Sequence, residues 1–347
     1  MRRAPDPSAY VRNIARRQLT IYDPIEIGDP DFWIPSPALQ ELLERALVGM
    51  NLSGLPLRTR SKVVKTAVCE ALGYAVPSRF RKTRPRFPGQ MFDTYVQKST
   101  NLQVWNEELA PTRRYAIIKV SEGYIITKVR VVAGDTLAKL DTTGTLTQKY
   151  QARLVCGPSP TELVVDNDTP VVRPSTDATA DLSTHVPTGV PVLGGLLPIR
   201  TVFQRLSGLV GTTFSDQGYD QERRRGGVLH RLVCQRLGYA NYEDDGQFPD
   251  VRHQLLEVKL QTSPTIDLGL VRPDSTEPLD VPMVGGRQIR HCDVRYAVFR
   301  AQSDGTRVAI THLLLSTGQA FFGRFPQFQG RVLNKKLQIP LPADFFA

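Results

Sequence analysis

The chain has 347 residues, 41% apolar and 22% charged, with 44 Lys and Arg against 34 Asp and Glu for a net charge of +10. These fractions exclude a disordered polypeptide and leave room for one large domain or two ordinary ones. No run of about 18 apolar residues occurs, which excludes a membrane-spanning helix, and the excess of cations points to a polyanionic partner, nucleic acid being the commonest.

In chain order, MRRAPDPSAYVRNIARRQL has basic residues but no continuous apolar core, so it does not read as a secretory leader. Its alternating basic and proline-bearing segments suggest an arm over residues 1–30. SPALQELLERALVGMNLSG (36–54) places apolar residues at helical spacing after Ser-Pro and before Gly, and RSKVVKTAVCEALGY (60–74) is a second amphipathic helix closed by Gly73. RFRKTRPRF (79–87) sets Arg79, Arg81, Lys82, Arg84 and Arg86 among phenylalanines. Such local repulsion favours contact with phosphates. The period then changes: FDTYVQKSTNLQVWN, RRYAIIKV and GYIITKVRVV read as strands.

Residues 157–198 are dense in Pro, Thr, Ser, Asp and Gly with almost no Lys or Arg, and are expected to form a linker, with short edge strands where valine pairs recur. Beyond it LPIRTVFQRLSGLV and RRRGGVLHRLVCQRLGY read as helices, the second stopped by Gly238. FPDV and LLEVKLQ form a predicted hairpin, 262–290 a polar loop, and VRYAVFRAQ, RVAITHLLLST and QAFFGRF a run of strands before the basic tail NKKLQIPLP. The expected organisation is therefore an α+β domain over 1–156, the linker, and an α/β domain with a mixed sheet over 199–347. Cys69, Cys156, Cys234 and Cys292 lie far apart with no CxxC or Cys/His pairing, which argues against structural zinc and fits a reducing cytoplasm.

One internal echo stands out. VCEALGYA (68–75) and VCQRLGYA (233–240) agree at six of eight positions, and each precedes a GQ followed shortly by Asp: GQMFD (89–93) and GQFPD (246–250). Either helix–glycine–hairpin units recur by chance, or the fold is duplicated. In the second case Tyr95 falls where Glu257 stands and Gln97 where Lys259 stands, so that the first copy lacks the acid.

The stretch GQFPDVRHQLLEVKLQ (246–261) carries the chemistry. Alternate residues of a strand share a face, so Glu257 and Lys259 point together, and the short RHQ connection returns Asp250 beside them. Two converging carboxylates repel unless a cation intervenes. Mg²⁺ takes one or two carboxylates and keeps its waters, and a lysine beside it can orient water or hold a phosphate. The isolated His253 and His291 read as surface or core histidines, and GGRQIR lacks the GK[ST] ending of a phosphate loop.

FPD250 followed by LLE257-VK259 resembles the PD-(D/E)xK nuclease signature, and the six-residue gap with a helix before it is most similar to the MutH-like branch. The resemblance implies a restriction-endonuclease-like core in the C-terminal domain, preceded by a domain that supplies DNA binding or is a degenerate copy of that core. It also implies Asp250 and Glu257 as Mg²⁺ ligands and Lys259 as the group assisting the attacking water. The preceding helix offers His230 where many members have a further carboxylate, with Glu222 an alternative upstream, which leaves a second metal position in doubt. The function implied is a cytoplasmic type II restriction endonuclease cutting double-stranded DNA, working as a homodimer or pseudo-dimer beside a cognate DNA methyltransferase. Arg223, Arg224, Arg225, Lys335 and Lys336 join the 79–86 segment as expected phosphate contacts. A structure- or mismatch-directed repair nuclease of the same fold and a non-catalytic DNA-binding regulator are the alternatives.

Overall fold

The computed structural model describes residues 6–98, 100–105, 109–140, 150–216, 222–327, 336–342 and 344–346. The chain divides into two compact units, one made of 1–148, 280–282 and 332–347, the other of 149–279 and 283–331.

The first unit begins with α1 (Pro7–Arg16), where an arm was expected. Asp6 caps it, accepting from the Ser8 N–H, and Pro7 occupies the first turn. Tyr10 and Ile14, four residues apart, bury themselves in the core, so the apolar stripe rather than the flanking charge decides the fate of this segment. α2 (Ser36–Leu47) and α3 (Leu57–Ala71) pack on each other, and α2 covers the sheet. That sheet has β1 (Phe92–Gln97) parallel to β3 (Arg114–Val120), which pairs antiparallel with β4 (Ile126–Ala133). β2 (Asn101–Trp105) lies off it, and α4 (Gly134–Lys139) follows β4.

The second unit opens with β5 (Tyr150–Arg153) and β6 (Thr161–Leu163). The stretch 157–198 is not a linker: β6 pairs with the main sheet, and Leu182, Leu196 and Leu197 are fully enclosed. Its exposed Pro- and Gly-rich turns are pinned at these buried leucines, so the composition marks a surface stretch of the unit rather than a tether. α5 (Ile199–Ser207), β7 (Thr213–Ser215) and α6 (Glu222–Leu237) lead to β8 (Leu256–Gln261) and β9 (Thr265–Gly269), then β10 (Arg295–Ser303) and β11 (Arg307–Thr317). The sheet runs β6-β11-β10-β8, with β8 parallel to β10, β10 antiparallel to β11, and β7 added to β11. QAFFGRF, expected as a strand, holds the short helix α7 (Phe321–Arg324), whose aromatic rings pack on one another and on Tyr296. The architecture is mixed α/β. Among the described residues no helix is long and apolar enough to cross a membrane.

The two units share one plan. α2, α3, β1, β2, β3, β4 and α4 correspond in order to α5, α6, β8, β9, β10, β11 and α7, and the central triplets β1-β3-β4 and β8-β10-β11 have the same order and directions. One element in each is exchanged. β5, which follows the first helix–sheet run, pairs antiparallel with β9, and the last strand, β12 (Lys336–Pro340), pairs antiparallel with β2.

The correspondence also corrects the expected pairing of Tyr95 with Glu257 and Gln97 with Lys259. A one-turn 3-10 helix over Pro88–Gln90 ends in left-handed Met91 (φ 49°) before β1, and another over Arg252–Gln254 ends in left-handed Leu255 (φ 50°) before β8. Gln90 thus matches Gln254, Asp93 matches Glu257, and Tyr95 matches Lys259. The first copy keeps the acid, and has Arg86 in place of Asp250 and Tyr95 in place of the lysine.

Candidate active site

FPDV does not form a strand. Val251 and Leu256 bond to each other across the turn, N–H to O in both directions at 2.9 and 3.2 Å. Closing this loop at 251 and 256 makes Asp250 and Glu257 the next facing pair, which is why six residues separate them. The Asp250 N–H donates to Glu257 Oε2 at 3.2 Å, and the Val258 N–H donates to Asp250 Oδ2 at 2.8 Å. Lys259 follows on the same face of β8, its Nζ 2.7 Å from Glu257 Oε1. Leu256, Val258 and Leu260 turn to the opposite side, into the core beneath α5 and α6.

Glu257 is 1% exposed and the Lys259 side chain 15%. A carboxylate so enclosed needs a positive partner, and the ammonium supplies one. Two carboxylates held on one turn by backbone N–H groups, with an ammonium against one of them, fit a small hard divalent cation that keeps most of its waters. A larger donor set is not offered: among the described residues no group of three His, Cys, Asp or Glu stands together.

His230 is buried on α6 with Nε2 3.1 Å from the Glu243 carbonyl oxygen and 3.4 Å from Cys234 Sγ, while its Nδ1 has no hydrogen-bond partner among the described residues. Cys234 itself is pushed up to about 12 by burial, with the charges of Asp244 and Asp250 adding to it. The Glu222 side chain lies outside the described residues.

What the sequence did not disclose is the brace behind the turn. Gln254 is fully buried, accepting from the Leu197 N–H at 2.8 Å and donating to the Gly195 carbonyl at 2.8 Å. Arg295, also fully buried, donates to the Gln254 carbonyl at 3.0 Å and to Asp168 Oδ1 at 2.7 Å, while Asp168 Oδ2 accepts the Ile199 N–H at the start of α5. The first unit repeats the device. Gln90 accepts from the Ile34 N–H at 3.1 Å, and buried Arg114 donates to the Gln90 carbonyl and lies 3.7 Å from Asp280. Beside Gln254, His253 stacks on His185 at 4.4 Å and receives or gives a 2.8 Å bond to the Tyr239 hydroxyl. Burial, helped by His185, drives its imidazole down to about 4, so it is neutral at physiological pH.

The expected phosphate contacts fall into three groups. Arg79, Arg81 and Lys82 are exposed, with the Arg81 guanidinium 4.5 Å from the Tyr22 ring centre. Arg84 and Arg86 stand 3.9 and 3.8 Å from Asp93. Arg225 is held by Asp216 in a two-pronged ion pair at 2.9 and 2.7 Å. Lys335, and the side chains of Arg223, Arg224 and Lys336, lie outside the described residues.

Set against known protein families, characterised proteins and solved structures, the chain matches none of them.

Proposed function

We propose that the second unit is a Mg²⁺-dependent nuclease of the PD-(D/E)xK kind with a restriction-endonuclease-like core, hydrolysing phosphodiesters in double-stranded DNA. A type II restriction endonuclease is the form favoured. The observation that carries the reading is the convergence of Asp250, Glu257 and Lys259 on one turn whose length suits that meeting.

Asp250 and Glu257 would hold the ion, which supplies Lewis acidity and a water acidified by coordination. The protein's own part is positional. The Val258 N–H fixes the Asp250 carboxylate and the Asp250 N–H fixes that of Glu257, so neither need reorganise when charge builds on a phosphate. Lys259, held on Glu257 until substrate arrives, presents an ammonium to a phosphate oxygen or to the attacking water.

The test is incubation of unmethylated bacteriophage DNA with the protein in Mg²⁺ or in chelator, alongside Lys259→Ala. Discrete fragments requiring both metal and Lys259 support a sequence-specific endonuclease, and their mapped ends give the site. Metal-dependent nicking without fixed ends selects a repair nuclease instead. Intact DNA with retained gel-shift binding selects a non-catalytic DNA-binding protein.

A further inference from the structure

The counterpart of this site in the first unit is a cavity of about 530 Å³, within the range of small-molecule sites, roughly 300–1,000 Å³. Its cationic wall consists of Arg60, Arg84, Arg86 and Lys98, and no acidic side chain lines it among the described residues. Its apolar wall consists of Tyr95, Val96 and Tyr124, which solvent reaches, together with the buried Leu52, Val64 and Val120.

The cations are held in place before any ligand arrives. Arg60 and Lys98 stand over the one ring of Tyr124, 3.8 and 3.6 Å from its centre. Arg60 is further tied by its Nε to the Leu55 carbonyl at 2.7 Å, and Lys98 by Glu122 at 3.2 Å. Arg84, Arg86 and Arg113 gather around the single buried carboxylate of Asp93, the last at 3.2 Å. Lys65 registers the same field: burial and then the Arg86 charge lower its ammonium from the ordinary value.

Relative to the second unit, the local chemistry is inverted. Arg86 occupies the place of Asp250 and Tyr95 that of Lys259, while the retained acid, Asp93, is surrounded by guanidiniums rather than joined to a second carboxylate. A divalent cation finds no pair of carboxylates here, and an anion finds several donors.

We propose that this cavity binds a nucleoside phosphate, its phosphate against Arg60, Arg84, Arg86 and Lys98 and its base against the apolar wall. Guanidinium forks suit phosphate oxygens, and apolar and cationic groups lining one cavity suit a molecule with a flat base at one end and charge at the other. The ligand is either a free mononucleotide or one nucleotide of a DNA strand, chemistry that the two share. The proposal does not depend on cleavage by the second unit.

The test uses the full chain in chelator, so that no metal-dependent cutting intervenes. Calorimetric titration compares inorganic phosphate with deoxyadenosine monophosphate, and fluorescence anisotropy follows a short labelled single-stranded oligonucleotide. Each is repeated with an Arg60→Gln/Lys98→Gln variant, with Arg60→Lys as the charge-preserving control and thermal melting to verify folding. The expected result is tighter binding of the mononucleotide than of inorganic phosphate, or binding of the oligonucleotide alone if the nucleotide belongs to a strand. In either case the double variant weakens binding about ten-fold or more and Arg60→Lys recovers part of it. Unchanged affinity for both nucleotide ligands in the folded double variant overturns the proposal. So does equal binding of phosphate and mononucleotide without oligonucleotide binding.

Discussion

At the scale of single residues, Lys259 and His253 make separable demands. Lys259 neutralises a carboxylate that is almost wholly enclosed, and on the proposed chemistry also meets the phosphate. Lys259→Ala should therefore lower the DNA cleavage rate about 10²-fold or more while leaving DNA binding in place, as checked by single-turnover cleavage beside a gel shift. His253 faces His185, Tyr239 and Gln254 and is neutral because protonation down to about 4 is opposed by its surroundings. Unfolded, the same imidazole titrates near its ordinary 6.5. A base depressed in the folded state contributes stability above the unfolded value, and that contribution falls as pH drops from about 6.5 towards 4. Urea unfolding of the wild type should weaken across this window by up to about 3 kcal/mol, and His253→Phe should show a flatter profile. The trio of Asp250, Glu257 and Lys259 was legible in the sequence because its chemistry lies within ten consecutive positions, 250–259.

At the scale of elements, the turn before β8 is only as well placed as the brace behind it. Asp168 joins Arg295, 127 positions away in sequence, to the start of α5. Asp168→Ala leaves a fully buried guanidinium without its carboxylate, and should cost about 3–5 kcal/mol in equilibrium unfolding. No local pattern announces such a contact, and Asp168 lies in a stretch whose composition imitates a linker. Helices α2, α3, α5 and α6 could be read from their spacing and glycine stops, since both signals are local. The repeated order of elements was visible too, but its register was not. The literal GQ match requires the two copies to differ in length between helix and strand, whereas pairing Gln90 with Gln254 keeps VCEALGY and VCQRLGY at nearly constant spacing from the strand. Glutamine is retained in both places because its amide satisfies buried backbone groups, a role a sequence does not display. α7 was misread because Phe-Phe-Gly-Arg-Phe has the aromatic content of a strand, and ring packing decided otherwise.

At the scale of the molecule, deletion and damage should not coincide. β12 follows the second unit in sequence, yet it pairs with β2 of the first. Removing residues 336–347 should therefore strip amide-exchange protection from Asn101–Trp105 while Leu256–Gln261 stays protected, as hydrogen exchange followed by mass spectrometry would read. Loss of protection in the reverse order would contradict the exchanged pairing.

That exchange also bears on descent. A single-repeat precursor folded in this way would give its last strand to a second copy and receive one in return, as a strand-swapped homodimer does. Tandem duplication makes such a dimer one inheritance, after which the halves can drift apart in chemistry but not part company. One half keeps Asp250 and Lys259, and the other has exchanged them for Arg86 and Tyr95. Neither gene half can be discarded without opening an edge in the other, so the half that lacks the second carboxylate and the lysine is retained as architecture and left free to acquire an occupation of its own.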